Sequence, residues 1–247
     1  MSPPPRPPPP NIVTLPNFLV IGAEKSGTTA LHELLATHPQ VFMSEPKEPS
    51  FFLSEDRRYL AQDLMGQPSP DIRTQSEYEE IFAAAPPAKV IGESSPCYLY
   101  SPEAAQLIKA TIPGVRIVAL LRNPAERAFS QFTFNQQRGW EPLTRTFKEA
   151  LELEEERVQG DSMWAFHYTR RGMYARQLTP NPIKAIARGL MPTRARSALG
   201  GMLRRMNARR PTKDDQTVRS LMPVFEEDIR QLAATILPKA ADWLSRG

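Results

Sequence analysis

The chain has 247 residues, of which 40% are apolar, and a formal net charge of +4. This size can bury one sizeable core, so a single domain is expected, and the mild positive charge excludes a dedicated nucleic-acid binder. Its single cysteine excludes an internal disulfide and has no neighbours at metal-ligand spacing, so no metal site is expected. No stretch approaches the roughly 20 apolar residues of a membrane span, and the N-terminus does not resemble a signal peptide, which predicts a soluble, cytoplasmic protein.

The chain opens on MSPPPRPPPP, which predicts a disordered, proline-rich tail over residues 1–16 ahead of a domain over residues 17–247. From Asn17 onward, short apolar runs alternate with amphipathic segments, a pattern typical of a parallel sheet flanked by helices. The predicted strands are Phe18 to Gly22, Val41 to Ser44, Lys89 to Gly92 and Val115 to Leu121. The predicted helices are Thr28 to Thr37, Gln75 to Ala84, Ala104 to Ala110, Glu126 to Gln137, Leu143 to Gln159, Tyr168 to Gln177 and Thr217 to Leu237.

The first strand leads into the loop of FLVIGAEKSGTTAL, Phe18 to Leu31. A strand-to-helix junction of this kind gathers unpaired backbone N–H groups at the positive end of a helix, which makes it an anion site. The two glycines have the separation of a nucleoside-triphosphate loop, but there the lysine follows the second glycine, whereas here Lys25 lies inside the loop and Thr28 takes that position. A nucleotide kinase or hydrolase is therefore disfavoured and is kept only as an alternative.

The loop has enough donors to surround a single phosphate. These are the backbone N–H groups of Gly27, Thr28 and Thr29, together with the hydroxyls of Ser26, Thr28 and Thr29. Each charge-assisted hydrogen bond contributes about 1.5 to 3 kcal/mol. The alternative is a plain turn in which the threonines cap the helix.

A second anion-binding element is LLRNPAERAFSQF, Leu120 to Phe132. Arg122 ends a predicted strand and Ser130 lies about two turns into the following helix, so both can converge on one anion at the carboxyl edge of the sheet. A nucleotide hydrolase would instead carry a magnesium-binding aspartate where Arg122 lies. The alternative is that Arg122 pairs with a carboxylate and Ser130 bonds to its own helix.

Together, K-S-G-T-T and R-N-P-x-x-R-A-x-S resemble the two donor-binding elements of sulfotransferases that use 3'-phosphoadenosine 5'-phosphosulfate. The resemblance implies an α/β, P-loop NTPase-like three-layer fold with a central parallel sheet between helices. It also implies that Arg122 and Ser130 hold the 3' phosphate of this co-substrate. The residues assigned to the 5' phosphosulfate are Lys25, Ser26, Gly27, Thr28 and Thr29.

The segment PKEPSFF, Pro46 to Phe52, resembles the heparan sulfate branch of this family, in which the matching glutamate is the catalytic base. The resemblance therefore assigns Glu48 as the base, with Glu45 and Glu93 as rivals. From the residues alone, a surface pair of Glu48 with Lys47 is the alternative. The stretches GESSPCYLY and RGMYARQL resemble later parts of the same branch.

The resemblance implies transfer of a sulfuryl group to a hydroxyl or amine of an acceptor, a glycan or a small molecule. Lys25 would neutralise the leaving group and Glu48 would accept the proton, without a metal ion. After Leu178 the sequence shows no counterpart of a strand that the family has there, so residues 180–247 are predicted to be helical and the chain to be internally shortened. A degenerate protein that binds the donor without catalysis is therefore the second hypothesis.

Overall fold

A computed structural model describes residues 15–54, 72–86, 90–160, 163–179 and 215–246. The proline tract and the segment 180–214, where a strand of the family was predicted to be missing, lie outside the described residues. No helix in the described ranges has the length and apolar character to span a membrane.

The structure is built on a sheet of four strands in the spatial order β2-β3-β1-β4, in which every pairing is parallel. This confirms the predicted fold class. β3 reaches Ser94, two residues past its predicted end, because it remains paired with β1 up to the Val20 and Ser94 register position. The strands are β1 Phe18–Gly22, β2 Val41–Met43, β3 Val90–Ser94 and β4 Arg116–Ala119.

β1 is central and fully buried, and its alternate residues serve two different cores. Leu19 and Ile21 belong to the large core on one face of the sheet, whereas Phe18 and Val20 join the small core on the other face. A strand covered on both faces is typical of a parallel sheet, which explains the unbroken apolar run in this part of the sequence.

Eight α-helices are found in the described residues, and short 3₁₀ turns occur at Pro96–Leu99, Trp164–Phe166, Arg170–Gly172 and Pro238–Arg246. The helices are α1 Thr28–Ala36, α2 Gln75–Glu80, α3 Pro102–Thr111, α4 Pro124–Gln137, α5 Phe147–Glu152, α6 Glu154–Gln159, α7 Tyr174–Leu178 and α8 Asp215–Thr235.

Two of the predicted helices are wrong as single elements. The first begins only at Phe147, where Thr146 forms a capping box with Glu149, and it divides at Leu153. The segment predicted as a helix from Tyr168 is a 3₁₀ turn followed by α7, because the Glu154 carboxylate accepts hydrogen bonds from the backbone N–H groups at its start, at 2.8 to 3.2 Å. The other predicted helices are confirmed to within about one turn.

The long helix α8 packs against both α4 and α7. Phe225, Ile229 and Leu232 lie on one face of α8 and are buried in the large core. The Asp228 carboxylate accepts hydrogen bonds from the backbone N–H groups of Ala175 and Arg176 at 2.9 and 3.1 Å, so α8 also fixes the start of α7.

Candidate active site

The loop between β1 and α1 lies at the carboxyl edge of the sheet, and its backbone requires glycine at two positions. Gly22 has φ 152°, and a Cβ there would lie 2.7 Å from the Cβ of Leu99. Gly27 has φ 95° and is the N-cap of α1. Between them Lys25 is itself left-handed, with φ 61°, so the lysine is presented from a sharply turned segment.

The start of α1 has no side-chain cap, which among the described helices is also true of α6 and α7. The threonines therefore do not cap this helix, and that alternative is wrong. Thr28 is buried and Thr29 is exposed. The N–H groups of the first turn are thus left without a side-chain acceptor, as in helix termini that bind anions. Side chains do cap the four helices that follow Thr74, Ser101, Asn123 and Thr146.

Lys25 is held against α4 with its ammonium group over an aromatic ring. Its Nζ lies 3.8 Å from the centroid of the Phe134 ring, a cation–π contact. Burial lowers the pKa of Lys25 to about 8, although the negative charges of Glu24 and Glu48 oppose this shift. Lys25 and Glu48, predicted from separate motifs, are therefore close enough to interact electrostatically.

Arg122 joins the second predicted element to the first. Its Nη1 donates a hydrogen bond to the backbone oxygen of Lys25 at 3.3 Å, and its Nε and Nη2 donate to Oε2 of Glu126 at 3.2 and 3.1 Å. The structure thus brings Arg122 to the loop, and it also shows the carboxylate pairing that was the alternative. This ion pair is partly exposed to solvent, so its contribution to stability is small.

Ser130 lies on the face of α4 that contacts both Arg122 and Lys25. Glu126, Ser130 and Phe134 follow one another at four-residue intervals on α4 and so share a face. Glu126 contacts Arg122, and Phe134 contacts the ammonium group of Lys25. The two helix positions, Glu126 and Phe134, are roughly 12 Å apart along α4. Half-buried Ser130 therefore lies between the two predicted phosphate-binding groups.

Glu48 lies in the turn that follows β2 and pairs with Lys47. The predicted pairing is therefore present, but it is not on the surface, because the Glu48 side chain is only 11% exposed. Burial raises the pKa of Glu48, while the neighbouring Lys47 opposes the shift. A largely buried carboxyl group with a raised pKa, within electrostatic reach of Lys25, has the properties of a general base.

The two rival bases have different surroundings. Glu93 is fully buried and bonded to Ser95 and Tyr78, so it has no surface that an acceptor can touch. Glu45 is exposed to solvent. Phe52 is part of the large core, as expected from its apolar character.

A buried ion pair beneath the loop was missed by the sequence analysis. Arg171, from the 3₁₀ turn before α7, pairs with Glu24, and Sγ of Cys97 donates a hydrogen bond to Oε1 of Glu24 at 2.9 Å. Burial alone would raise the pKa of Glu24, but the Arg171 guanidinium holds it below its usual value. Glu24 directly precedes Lys25 in the loop, but no sequence pattern links it to an arginine that lies so far along the chain.

Several buried polar atoms close to the loop lack a hydrogen-bond partner among the described residues. They are Oγ of Ser26, the hydroxyl of Tyr174, and Nε and Nη1 of Arg127. Tyr174 neighbours Ser26 and the backbone of Arg122, and Arg127 neighbours Glu24 and Arg171. Unsatisfied buried donors are rare in native proteins, so these atoms distinguish the polar layer beneath the loop from the fully paired surroundings of Glu93.

The comparison with known families decides the identity of this fold. The model of the sulfotransferase family matches residues 16–177. The chain belongs to the sulfotransferase family. A crystal structure of a sulfotransferase from Alicyclobacillus acidocaldarius is similar to it, with a TM-score of 0.76 and 26% identity over 94% of this chain and 99% of that one.

Curated relatives agree with the branch indicated by PKEPSFF. The membrane-associated sulfotransferase kil1 of Dictyostelium discoideum is 35% identical over 126 residues, which is 51% of this chain and 24% of the relative. The human bifunctional heparan sulfate N-deacetylase/N-sulfotransferase 2 is 29% identical over 51% of this chain and 13% of its own length. Human heparan sulfate glucosamine 3-O-sulfotransferase 6 is 29% identical over 66% of this chain and 42% of its own length. The chain spans less than half the length of these relatives.

Proposed function

We propose that this sulfotransferase family member transfers a sulfuryl group from 3'-phosphoadenosine 5'-phosphosulfate to a hydroxyl or amine of a glycan. The observation that carries the proposal is the contact between the two donor-binding elements, in which Arg122 donates a hydrogen bond to the backbone of Lys25. Two motifs far apart in the sequence thus meet at one sheet edge, where ligands of open α/β sheets bind.

The donor would be held at both of its charged ends. The uncapped start of α1, with Ser26, Thr28 and Thr29, suits the 5' phosphosulfate, since backbone N–H groups and the helix dipole both favour an anion there. Arg122 and Ser130 suit the 3' phosphate. The solvent-exposed part of Arg122 leaves its guanidinium accessible to a phosphate despite the pairing with Glu126.

The reaction would be an in-line displacement at sulfur. A bond forms between the acceptor oxygen or nitrogen and sulfur, while the bond from sulfur to the bridging oxygen of the donor breaks. Glu48 takes the proton of the acceptor, and 3'-phosphoadenosine 5'-phosphate leaves with the negative charge that Lys25 neutralises. The raised pKa of Glu48 suits a base, and the negative charge of the donor favours the protonated form of Lys25.

A glycan acceptor is supported by the relatives, two of which are named for heparan sulfate. The direct test is transfer of labelled sulfate to a panel of glycans, lipids and small alcohols. Transfer to a glycan is the expected result. Binding of the donor without transfer to any acceptor would instead support the degenerate, non-catalytic hypothesis.

Donor binding is tested separately by calorimetry with 3'-phosphoadenosine 5'-phosphate. Arg122→Ala should raise the dissociation constant about 10- to 150-fold, the loss of one or two charge-assisted hydrogen bonds. Arg116→Ala is the matched control, because Arg116 is an exposed arginine at the opposite, amino end of β4, the strand that precedes Arg122. Equal affinities for the two variants would remove Arg122 from the donor site, and stabilisation by ATP with magnesium alone would favour a nucleotide kinase or hydrolase.

A further inference from the structure

We propose that a buried chain of hydrogen bonds, formed by Glu93, Ser95 and Ser50, positions Glu48 for proton transfer. This inference deepens the proposed function and rests on the role of Glu48 as the base. In it Glu93 and Ser95 are positioning residues that contact neither the donor nor the acceptor.

The turn that carries Glu48 has a backbone that needs external support. Glu48 has φ 64° and Ser50 has φ 55°, and neither is glycine. Left-handed conformations of such residues cost about 1 to 3 kcal/mol each and persist only where the surroundings impose them. The position of the Glu48 carboxylate therefore depends on whatever holds this turn.

Two hydrogen bonds hold the turn through Ser50. Its backbone N–H donates to Oγ of Ser95 at 3.1 Å, and its own Oγ donates to the backbone oxygen of Glu48 at 3.2 Å. The first bond ties the turn to the end of β3, and the second fixes the peptide that follows Glu48. Ser50 thus connects Glu48 to the end of β3.

Glu93 determines which way the Ser95 hydroxyl points. The hydroxyl has a single proton, which it donates to Oε2 of Glu93 at 2.9 Å, so a lone pair is directed at the N–H of Ser50. Oε1 of Glu93 accepts from the hydroxyl of Tyr78 at 3.1 Å. The carboxylate is thus fixed on both oxygens, and its backbone lies at the register position opposite Leu19 of the central strand.

A purely structural role does not account for a carboxyl group at this place. Glu93 is fully buried, and burial of a carboxylate is costly even when it is hydrogen-bonded. The hydrogen-bond chain leads to Glu48, a largely buried carboxyl group that interacts electrostatically with Lys25. Since a misplacement of about 1 Å can cost roughly 100-fold in rate, support of this kind directly affects turnover.

The test compares two buried serines. Ser95→Ala should lower kcat about 10- to 100-fold while the affinity for 3'-phosphoadenosine 5'-phosphate changes less than about twofold, because the donor site is not touched. Ser101→Ala is the matched control: Ser101 is equally buried and caps α3, but it is not connected to Glu48. Equal kcat values for the two variants would overturn the proposal.

Substitutions of Glu93 separate geometry from charge. In Glu93→Gln the amide oxygen can still accept from Ser95 and the amide nitrogen can donate to the hydroxyl of Tyr78, so kcat should stay within about fivefold of wild type. Glu93→Leu should lose as much as Ser95→Ala. A loss of kcat in Glu93→Gln as large as in Ser95→Ala would overturn positioning by hydrogen bonds. If Glu93→Leu does not fold, the comparison of Glu93→Gln with Ser95→Ala decides.

Failure of this inference can be told apart from failure of the proposed base. If Glu48→Gln keeps full turnover, Glu48 is not the base, whatever Ser95→Ala does. If Glu48→Gln is inactive and Ser95→Ala is fully active, only the positioning role is overturned. Hydrogen exchange at the Ser50 amide gives a readout that does not depend on turnover. Ser95→Ala should speed this exchange at least about tenfold, and Ser101→Ala should not. Equal exchange rates in the two variants would overturn the proposed role of the Ser95 hydrogen bond.

Discussion

The donor loop and the turn around Glu48 lie next to each other, but they differ in how completely their polar groups are hydrogen-bonded. In the loop, the start of α1 has no side-chain cap, and Oγ of Ser26 is buried without a partner among the described residues. In the turn, the N–H and the hydroxyl of Ser50 are both bonded, and Ser95 is held in turn by Glu93.

The difference matches what each region has to do in the proposed reaction. A site that receives the charge of a ligand must keep its donors unsatisfied until the ligand arrives, whereas a base must be held in one position beforehand. Each region also has its own buried support: the Glu24 and Arg171 ion pair lies under the loop, and Glu93 lies under the turn. Removing these supports one at a time tests the comparison.

The largest effect is expected from the support of the loop. Arg171→Met leaves Glu24 buried without its countercharge, and the expected loss is about 3 to 5 kcal/mol in the free energy of unfolding, measured by chemical denaturation. Arg170→Met is the control, since its pair with Glu155 is exposed and the loss should stay below about 1 kcal/mol. Similar losses in both variants would show that the buried pair does not support the fold.

The second effect concerns the lysine that the loop presents. Lys25→Ala should lower the rate of sulfate transfer about 100- to 1,000-fold, because the charge that develops on the leaving group is no longer neutralised. The free energy of unfolding should not fall, since burial already disfavours the charge of this lysine. Lys109→Ala, at an exposed position on α3, is the control, and a Lys25→Ala enzyme as active as this control would contradict the role of Lys25.

The sequence was sufficient to predict what depends on local patterns. The four strands and the turn at Gly27 follow from apolar runs and glycine spacing, which act over a few neighbouring residues. The donor-binding roles of Lys25, Arg122 and Ser130 stay predictions. The comparison with known proteins confirms the family that these motifs indicate. The start of the helix predicted from Leu143 was misplaced because the capping box of Thr146 and Glu149 was overlooked, and its division at Leu153 is not marked by a glycine or proline.

The supports beneath the site could not be predicted in the same way. Glu24 meets Arg171, and Ser50 meets Ser95, only because the fold brings distant segments together. A charged residue before a lysine or a serine after a strand has no pattern of its own, so nothing in the sequence distinguishes these partners from solvated side chains. Tertiary packing alone assigns their roles.

Glu93 gives a prediction that depends on pH. Burial raises its pKa to about 7 from an ordinary value of 4.5, so the folded protein binds this proton more tightly than the unfolded chain does. Stability from this group is therefore fully present below about pH 4.5 and is lost as the pH rises to about 7. Relative to Glu93→Gln, the wild type should lose up to about 3 kcal/mol over this range, as measured by denaturation at each pH. A difference that does not change with pH would mean that Glu93 is ionised at all these values.

The smallest expected effect is the pH dependence of donor capture, which reports on the charge of Lys25 in the loop. Since the pKa of Lys25 is lowered to about 8, the free enzyme loses the positive charge of the loop above that pH, and kcat/KM for the donor should fall about tenfold per pH unit. Lys25→Arg keeps its charge in this range, so its lower activity should stay flat between about pH 8 and 10. A wild-type profile equally flat over this range would show that the charge of Lys25 does not govern donor capture. Because the pKa of Glu93 is about 7, Glu93 is already ionised at these pH values, so a fall of this kind does not come from Glu93.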